Sequence, residues 1–376
     1  MSAPANTLLA HLPAGTTTRG LAFAEIPGWA EDDHAAAFRA FLETCAPILD
    51  GLTVLRNAMP ASPALVAACE AARPIADKAR QDRNAARVFF ETGFEAVEIL
   101  PQGKTAFLTA YYEPEIAASL TQTSEFPVPV LARPEDLLTL RQGETRPGIP
   151  PDLQAARITK DGLEPYPDRA AIWAGALAGR NLEIAWLRDE AELFITQVQG
   201  SARLKLPDGR ITRLTYSGRN GHPYTSIGRR LVETGAMTLE EMSLAKLMAW
   251  LRADPARGRK LMEENRSYVF FARDDDAPAD RGPIGGAGVP LTEGRSLAID
   301  RTIWPYGLPV FIDVEPLTPE GGRRRTTRLM IAQDTGSAIV GPARGDYFMG
   351  SGAEAGDRAG LVRDAMRFIV LVPKAR

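Results

Sequence analysis

From residue 296 to its end the chain repeatedly produces short apolar runs, SLAID, LPVFIDVE, RLMIAQD and MRFIVLVP, with glycines from Gly282 to Gly360 spread between them. Runs this short and this rich in branched side chains read as strands. The glycines permit tight turns and close backbone crossings, so the pattern predicts a small barrel. It is not a regular repeat. Nor do the glycines at 285–288 form a phosphate loop, because neither GxxxxGK[ST] nor GxGxxG stands there between a strand and a helix.

A barrel of that size cannot occupy 376 residues, so the chain is expected to form two bodies. Phe38, Phe41, Leu42 and Cys45 recur at helical spacing within 31–45, and an alanine-rich helix is expected over 64–79. RVFFETGFEAVEIL and KTAFLTAYYEPEI mix aromatic and β-branched residues and read as strands. Residues 126–167 are rich in Pro and Gly and mark the crossing into a second body. There LEIAWL, LFITQVQGSARLKL and ITRLTYSG read as strands, the last two separated by the turn Pro207-Asp208-Gly209. Leu244, Leu247, Met248 and Leu251 then open a helical return that ends near Glu264. The expected division is 1–125 for N-terminal helices and the first part of the barrel, 126–243 for an inserted β domain, and 244–376 for the rest of the barrel.

Several classes are excluded. With 45% hydrophobic and 24% charged residues the chain is neither disordered nor coiled-coil. A formal net charge of -3 gives no general electrostatic reason for a nucleic-acid partner, and the short basic run Arg323, Arg324, Arg325 with Arg328 reads as a solvated loop. No apolar stretch is long enough to cross a bilayer, and the opening MSAPANTLLAHLPAGTTT lacks the pattern of a secretory signal. Cys45 and Cys69 fit no metal motif and are open to either a disulfide or a reduced core. His11, His34 and His222 are too scattered for an imidazole-built zinc site, and a structural role is expected for His222.

Chemistry is expected from aspartates at strand ends beside glycine-rich chain. Asp334 lies in LMIAQDTGSAIVG, Asp346 in ARGDYFMGSG, and Asp300 closes SLAID. Each is also able to serve merely as a turn residue that accepts backbone N–H bonds. Asp334-Thr335-Gly336-Ser337 invites comparison with an aspartic peptidase, but no second Asp-Thr-Gly or Asp-Ser-Gly exists to supply the partner carboxylate.

The segments YPDRAAIWAGALAGRNLEIAWLRDEAELFITQVQGSARLKLPDGRITRLTYSGRNGHPYTSIGRRL, ENRSYVFF, SLAIDRTIWPYGLPVFI, AQDTGSAIVGPARGDYFMGSG and AEAGDRAG together resemble the MltA family of membrane-bound lytic murein transglycosylases, the last three looking like the family's 3D domain. The resemblance implies a mainly β chain with some helices. A double-psi β-barrel would be assembled from both ends of the sequence, with a smaller inserted β domain and a glycan cleft at their junction. It also implies that the three family aspartates fall on Asp300, Asp334 and Asp346, with Asp346 as the single catalytic acid/base and Asp334 and Asp300 in support. Ser337 departs from the glycine common in the family, and the loop from Asp334 to Asp346 is longer than expected.

The activity implied is cleavage of the β-1,4 bond between N-acetylmuramic acid and N-acetylglucosamine without water, leaving 1,6-anhydromuramoyl ends. One carboxyl group suffices if the substrate's own C6 hydroxyl attacks, because aligned intramolecular reactions reach effective concentrations of about 10⁵ M or more. An aspartate with a reference pKa near ~3.9 must then be desolvated, or placed beside a second carboxylate such as Asp334, to hold its proton. Tyr111, Tyr112, Gln197, Gln199, Tyr224 and Asn265 lie in the resembling segments and are candidate sugar contacts. Gln197 and Gln199 would share a face if extended. The alternatives are a two-carboxylate hydrolase, whose acids stand roughly 5–9.5 Å apart, and a non-catalytic peptidoglycan binder. The expected partner is a glycan strand in the periplasm or cell envelope, bound by a monomer that needs no cofactor.

Overall fold

The computed structural model describes residues 8–375 apart from 142, 240 and 279, so the first seven residues of the polar opening lie outside the described residues. The chain is a mixed α/β protein that divides into two units. One is made of Met1–Tyr112, Ile284–Gly350 and Glu354–Arg376, the other of Glu113–Pro283 and Ser351–Ala353.

The discontinuous unit is built on an eight-stranded sheet. Its order is Thr16–Leu21, Phe94–Pro101, Arg363–Pro373, Pro309–Val314, Thr326–Asp334, Ser296–Ile299, Arg344–Ser351 and Phe107–Glu113. The long strand Arg363–Pro373 also pairs with Phe107–Glu113, which closes six of the strands into a ring. Both faces of the strands Pro309–Val314, Thr326–Asp334 and Arg363–Pro373 carry buried apolar residues, and this explains their nearly continuous hydrophobic runs. Val310, Ile312, Met330, Ala332, Phe368 and Val370 join one buried cluster, while the alternating residues Phe311, Leu329, Ile331, Ile369 and Leu371 pack with the helices.

Helix His34–Asp50 supplies much of that cover. Asp33 caps it by accepting from the Ala36 N–H, and Gly51 ends it at φ +67°. Phe38 and Phe41 meet Phe89, Phe90 and Phe94 in a cluster of edge-on and tilted rings. Cys45 is disulfide-bonded to Cys69 on helix Pro63–Ala72. The RVFF stretch is not strand but part of helix Arg83–Gly93, capped by Asp82 and burying Ala86, Phe89 and Phe90 at helical spacing. Strand Phe94–Pro101 follows without a loop.

The inserted unit has a four-stranded sheet in the order Val269–Asp274, Ile211–Arg219, Ser201–Lys205 and Glu115–Ala117, plus separate two- and three-stranded sheets. Its mainly β expectation is corrected by helices, above all Glu190–Gln199 in the segment read as LFITQVQG strand. Asp189 caps this helix through the Glu192 N–H, acidic residues fill its first turn, and Gly200 ends it at φ +84°. The unit boundaries fall at 113 and 284 rather than 126 and 244. Strand Val269–Asp274 pairs with Ile211–Arg219, and helices Leu244–Ala253 and Pro255–Glu263 pack on Glu190–Gln199, so 244–283 belong with the insert. Among the described residues no helix is long and apolar enough to cross a membrane.

Candidate active site

Sheet register brings two of the expected aspartates together. Ala298 pairs with Asp334 on the parallel strand to one side and with Asp346 on the antiparallel strand to the other. The parallel pairing is bulged between Leu297 and Ala298, and the two aspartates flank that single strand with Cα atoms about 10 Å apart. Gln333, one position earlier, sits at the register shift in the parallel pairing and shares the face of Ser296 and Ala298. There its amide donates to the Ala40 carbonyl at 3.0 Å and accepts from Ser296 Oγ at 2.5 Å, which fixes the strand end against helix His34–Asp50.

Asp334 is fully engaged. Its Oδ2 accepts from the Tyr111 hydroxyl at 2.8 Å and its Oδ1 from the Gly286 N–H at 2.8 Å. A side chain at 286 would meet the Tyr306 hydroxyl 2.4 Å away, so this close approach requires glycine. Burial first, and then the Asp334 charge, push the Tyr111 phenol well above its ordinary range. It is a fixed hydrogen-bond donor at neutral pH.

Asp346 differs. Its Oδ1 accepts a short hydrogen bond from the Thr109 hydroxyl, and no hydrogen bond to Oδ2 is found among the described residues. Burial pushes its carboxyl up to about 6, with the Asp334 charge adding to the rise, while the Arg344 cation and the Thr109 hydrogen bond oppose it. Thr109 in turn accepts from Arg344 Nη2 at 2.6 Å. Neither Thr109 nor Arg344 was among the expected site residues. The signal was period two: Thr109 shares a face with Tyr111, and Arg344 with Asp346.

Asp300 takes the turn role. Its Oδ1 accepts from the Thr302 N–H at 3.0 Å and hydroxyl at 2.7 Å, and its Oδ2 from the Gly341 N–H at 2.7 Å. It is buried and ties two loops together. Tyr112 lies on the other face of its strand from Tyr111. Its ring packs where a side chain at Gly356 would come within 2.8 Å, and burial and Asp357 push its hydroxyl up to about 12.

The remaining sugar-contact candidates lie in the inserted unit. Gln197 and Gln199 are helical, so the shared face expected of a strand is lost. Buried Gln197 accepts from Arg169 at 2.6 Å and donates to the Val269 carbonyl at 2.9 Å. Buried Asn265 accepts from the backbone N–H groups of Thr225 and Ser267. These are internal polar contacts. Gln199 and Tyr224 are part-exposed near them. His222 is buried with Nε2 2.7 Å from the Tyr166 carbonyl. No group of three or more His, Cys, Asp or Glu side chains able to hold a metal ion occurs among the described residues.

The family model for the MltA specific insert domain matches residues 107–272, and that for the 3D domain matches 295–372. Membrane-bound lytic murein transglycosylase A of Escherichia coli K12 is 34% identical over 268 residues, which is 70% of this chain. The chain spans 64% of that relative's length. The crystal structure of a membrane-bound lytic murein transglycosylase from Agrobacterium tumefaciens superposes with a TM-score of 0.83 at 37% identity, covering 95% of this chain and 98% of the other. Escherichia coli MltA solved with bound chitohexaose gives 0.66 at 27% identity, covering 91% and 90%.

Proposed function

The chain belongs to the MltA family of membrane-bound lytic murein transglycosylases, and from that premise we propose that it cuts peptidoglycan glycan strands with Asp346 as the single acid/base. The closed ring of strands is then read as a double-psi β-barrel, and the enzyme as a monomer working in the periplasm or cell envelope. The relative solved with chitohexaose supports a β-1,4-linked N-acetylhexosamine strand as ligand.

The observation that carries the reading is an aspartic acid whose pKa burial raises to about 6, so that its proton exchanges just below neutrality, with no hydrogen bond to its second oxygen among the described residues. Protonated Asp346 donates to the bridging oxygen as positive charge develops at the anomeric carbon of the muramic residue. The C6 hydroxyl of the same sugar then forms the new bond to that carbon, and its proton passes to the Asp346 carboxylate. The carboxyl group returns to its starting state, and no water is consumed. Asp334 is a poor second acid or nucleophile, since both its oxygens are already accepting hydrogen bonds, and this favours the one-carboxyl route over hydrolysis. Its charge helps to keep the Asp346 proton in place.

Mass analysis of the fragments from purified peptidoglycan tests the reading. Anhydromuramoyl ends are expected; reducing muramic ends would make the chain a hydrolase, and intact polymer a binder. Asp346→Asn should stop cleavage while glycan binding persists, and turnover by that variant would remove Asp346 from its role.

A further inference from the structure

Arg344 has a placement that general folding does not require. It stands two positions before Asp346 on one strand, on the same face. Its hydrogen bonds go to neutral oxygens: the Gly345 carbonyl, the Thr109 hydroxyl at 2.6 Å and, at 3.5 Å, the Phe107 carbonyl. The Phe107 ring lies 5.6 Å from it. Burial lowers the guanidinium from its ordinary range, so the position is costly, and the nearby Asp346 charge is what favours the cation there.

A hydroxyl has one hydrogen. With an Arg344 N–H directed at Thr109 Oγ1, the Thr109 hydrogen is turned toward Asp346 Oδ1, where it donates. Oδ1 is then an acceptor whether the carboxyl is charged or neutral, and in the neutral acid the proton is left to Oδ2. We propose that Arg344 is a positioning residue for the acid, acting through the Thr109 hydroxyl to keep the transferable proton of Asp346 on Oδ2. The inference rests on the reading of Asp346 as acid/base. Without Arg344 the Thr109 hydroxyl is free to rotate and accept from a proton on Oδ1, which holds the acid in an unproductive form. The charged groups facing Asp346 also include Asp334 from across the central strand, and the Tyr111 phenol stays neutral.

The test measures kcat, KM and the pH profile of fragment release from purified peptidoglycan with the full chain. Arg344→Met and Thr109→Val should each lower kcat about tenfold with KM nearly unchanged. Each should also move the descending alkaline limb up by about one pH unit, because each removes a group that favours the charged carboxylate. Thr109→Ser restores the hydroxyl and should bring the limb back, which keeps the test decisive where valine disturbs the strand. In kcat the double variant should be no worse than Thr109→Val alone, since both act on the proton's position through one hydrogen bond, whereas the limb shifts add because the Arg344 charge also acts directly. A limb unmoved in Arg344→Met, or kcat losses that multiply in the double variant, would overturn the proposal. Turnover by Asp346→Asn would instead strike the acid/base reading beneath it.

Discussion

Each unit desolvates an ionisable side chain with no opposite charge in contact, and the two have different fates. In the discontinuous unit, burial pushes the Asp346 carboxyl up to about 6. In the inserted unit, Arg169 is enclosed by the rings of Trp173, Phe194 and Tyr268. Its N–H groups donate to the Asn265 carbonyl, Gln197 Oε1 and the Ser267 carbonyl. Burial pushes it down to about 10. The two displacements are of similar size, but only one brings a proton equilibrium within reach of neutral pH. Arg169 stays charged and serves as a hub for the chain around it; Asp346 becomes an exchangeable acid. Desolvation alone therefore does not mark a site. It does so where the ordinary pKa lies within its reach of the working pH and one polar atom remains without an internal partner.

The largest effects should separate the two kinds of residue cleanly. Asp346→Asn is expected to lower kcat by at least about a hundredfold with little change in melting temperature, since the amide preserves shape. Gln197→Leu should do the reverse. It leaves an Arg169 N–H and the Val269 carbonyl unpaired inside the protein, at a cost of about 1–3 kcal/mol, seen as a lower denaturation midpoint. Activity per folded molecule should persist. Were Gln197→Leu instead to keep its midpoint and lose glycan affinity, the residue would be a sugar contact, and the two buried charges would not differ in role.

The sequence made one half of this contrast readable and obscured the other. Asp334 and Asp346 could be singled out because each ends or enters a short apolar run beside glycines. Their shared neighbour Ala298 could not, because strand pairing depends on residues distant in the chain. The RVFF and LFITQVQ segments were misread for a common reason. Both are dense in residues favoured in strands, while the helix signals sit at their borders: Asp82 before one, Asp189 and Gly200 around the other. Once 190–199 is a helix, the polar side chain of Gln197 turns inward to Arg169, and the sugar-facing pair with Gln199 dissolves. The contacts of Asn265 were equally hidden, since nothing local announces that an amide will accept from two backbone N–H groups.

A smaller effect sharpens the account of Asp346. Asp334→Asn keeps a polar side chain beside Tyr111 and Gly286 but removes a negative charge that helps to raise the Asp346 pKa. The Asp346 proton should then leave at lower pH, and the alkaline limb of the activity profile should move down by roughly half a pH unit. Among the influences on Asp346 burial is the largest and Asp334 a minor one, so the limb should shift without activity vanishing. Complete loss at every pH would make Asp334 a second catalytic carboxyl and revive hydrolysis.

The smallest expected effect concerns His34, a buried titratable group that takes no part in the proposed chemistry. It is sealed at the start of helix His34–Asp50 against the Trp29 ring, 4.5 Å between centroids, and neither ring nitrogen has a hydrogen-bond partner among the described residues. Burial lowers its pKa, helped by the Arg83 and Arg87 charges, and the Asp32 carboxylate opposes the change; Glu91 lies near enough to feel the ring. The folded protein therefore holds this imidazole neutral at a pH where the unfolded chain would protonate it. Its contribution to stability is complete above the unfolded value near ~6.5 and declines as pH falls below it. Melting temperature should drop between pH 7.5 and 5.5, and His34→Phe should flatten that slope. An equal slope in both proteins would assign the acid sensitivity to other groups, and a His34 slope as large as the whole pH dependence would make this helix, not the strand end at Asp346, the principal site where protons act on the molecule.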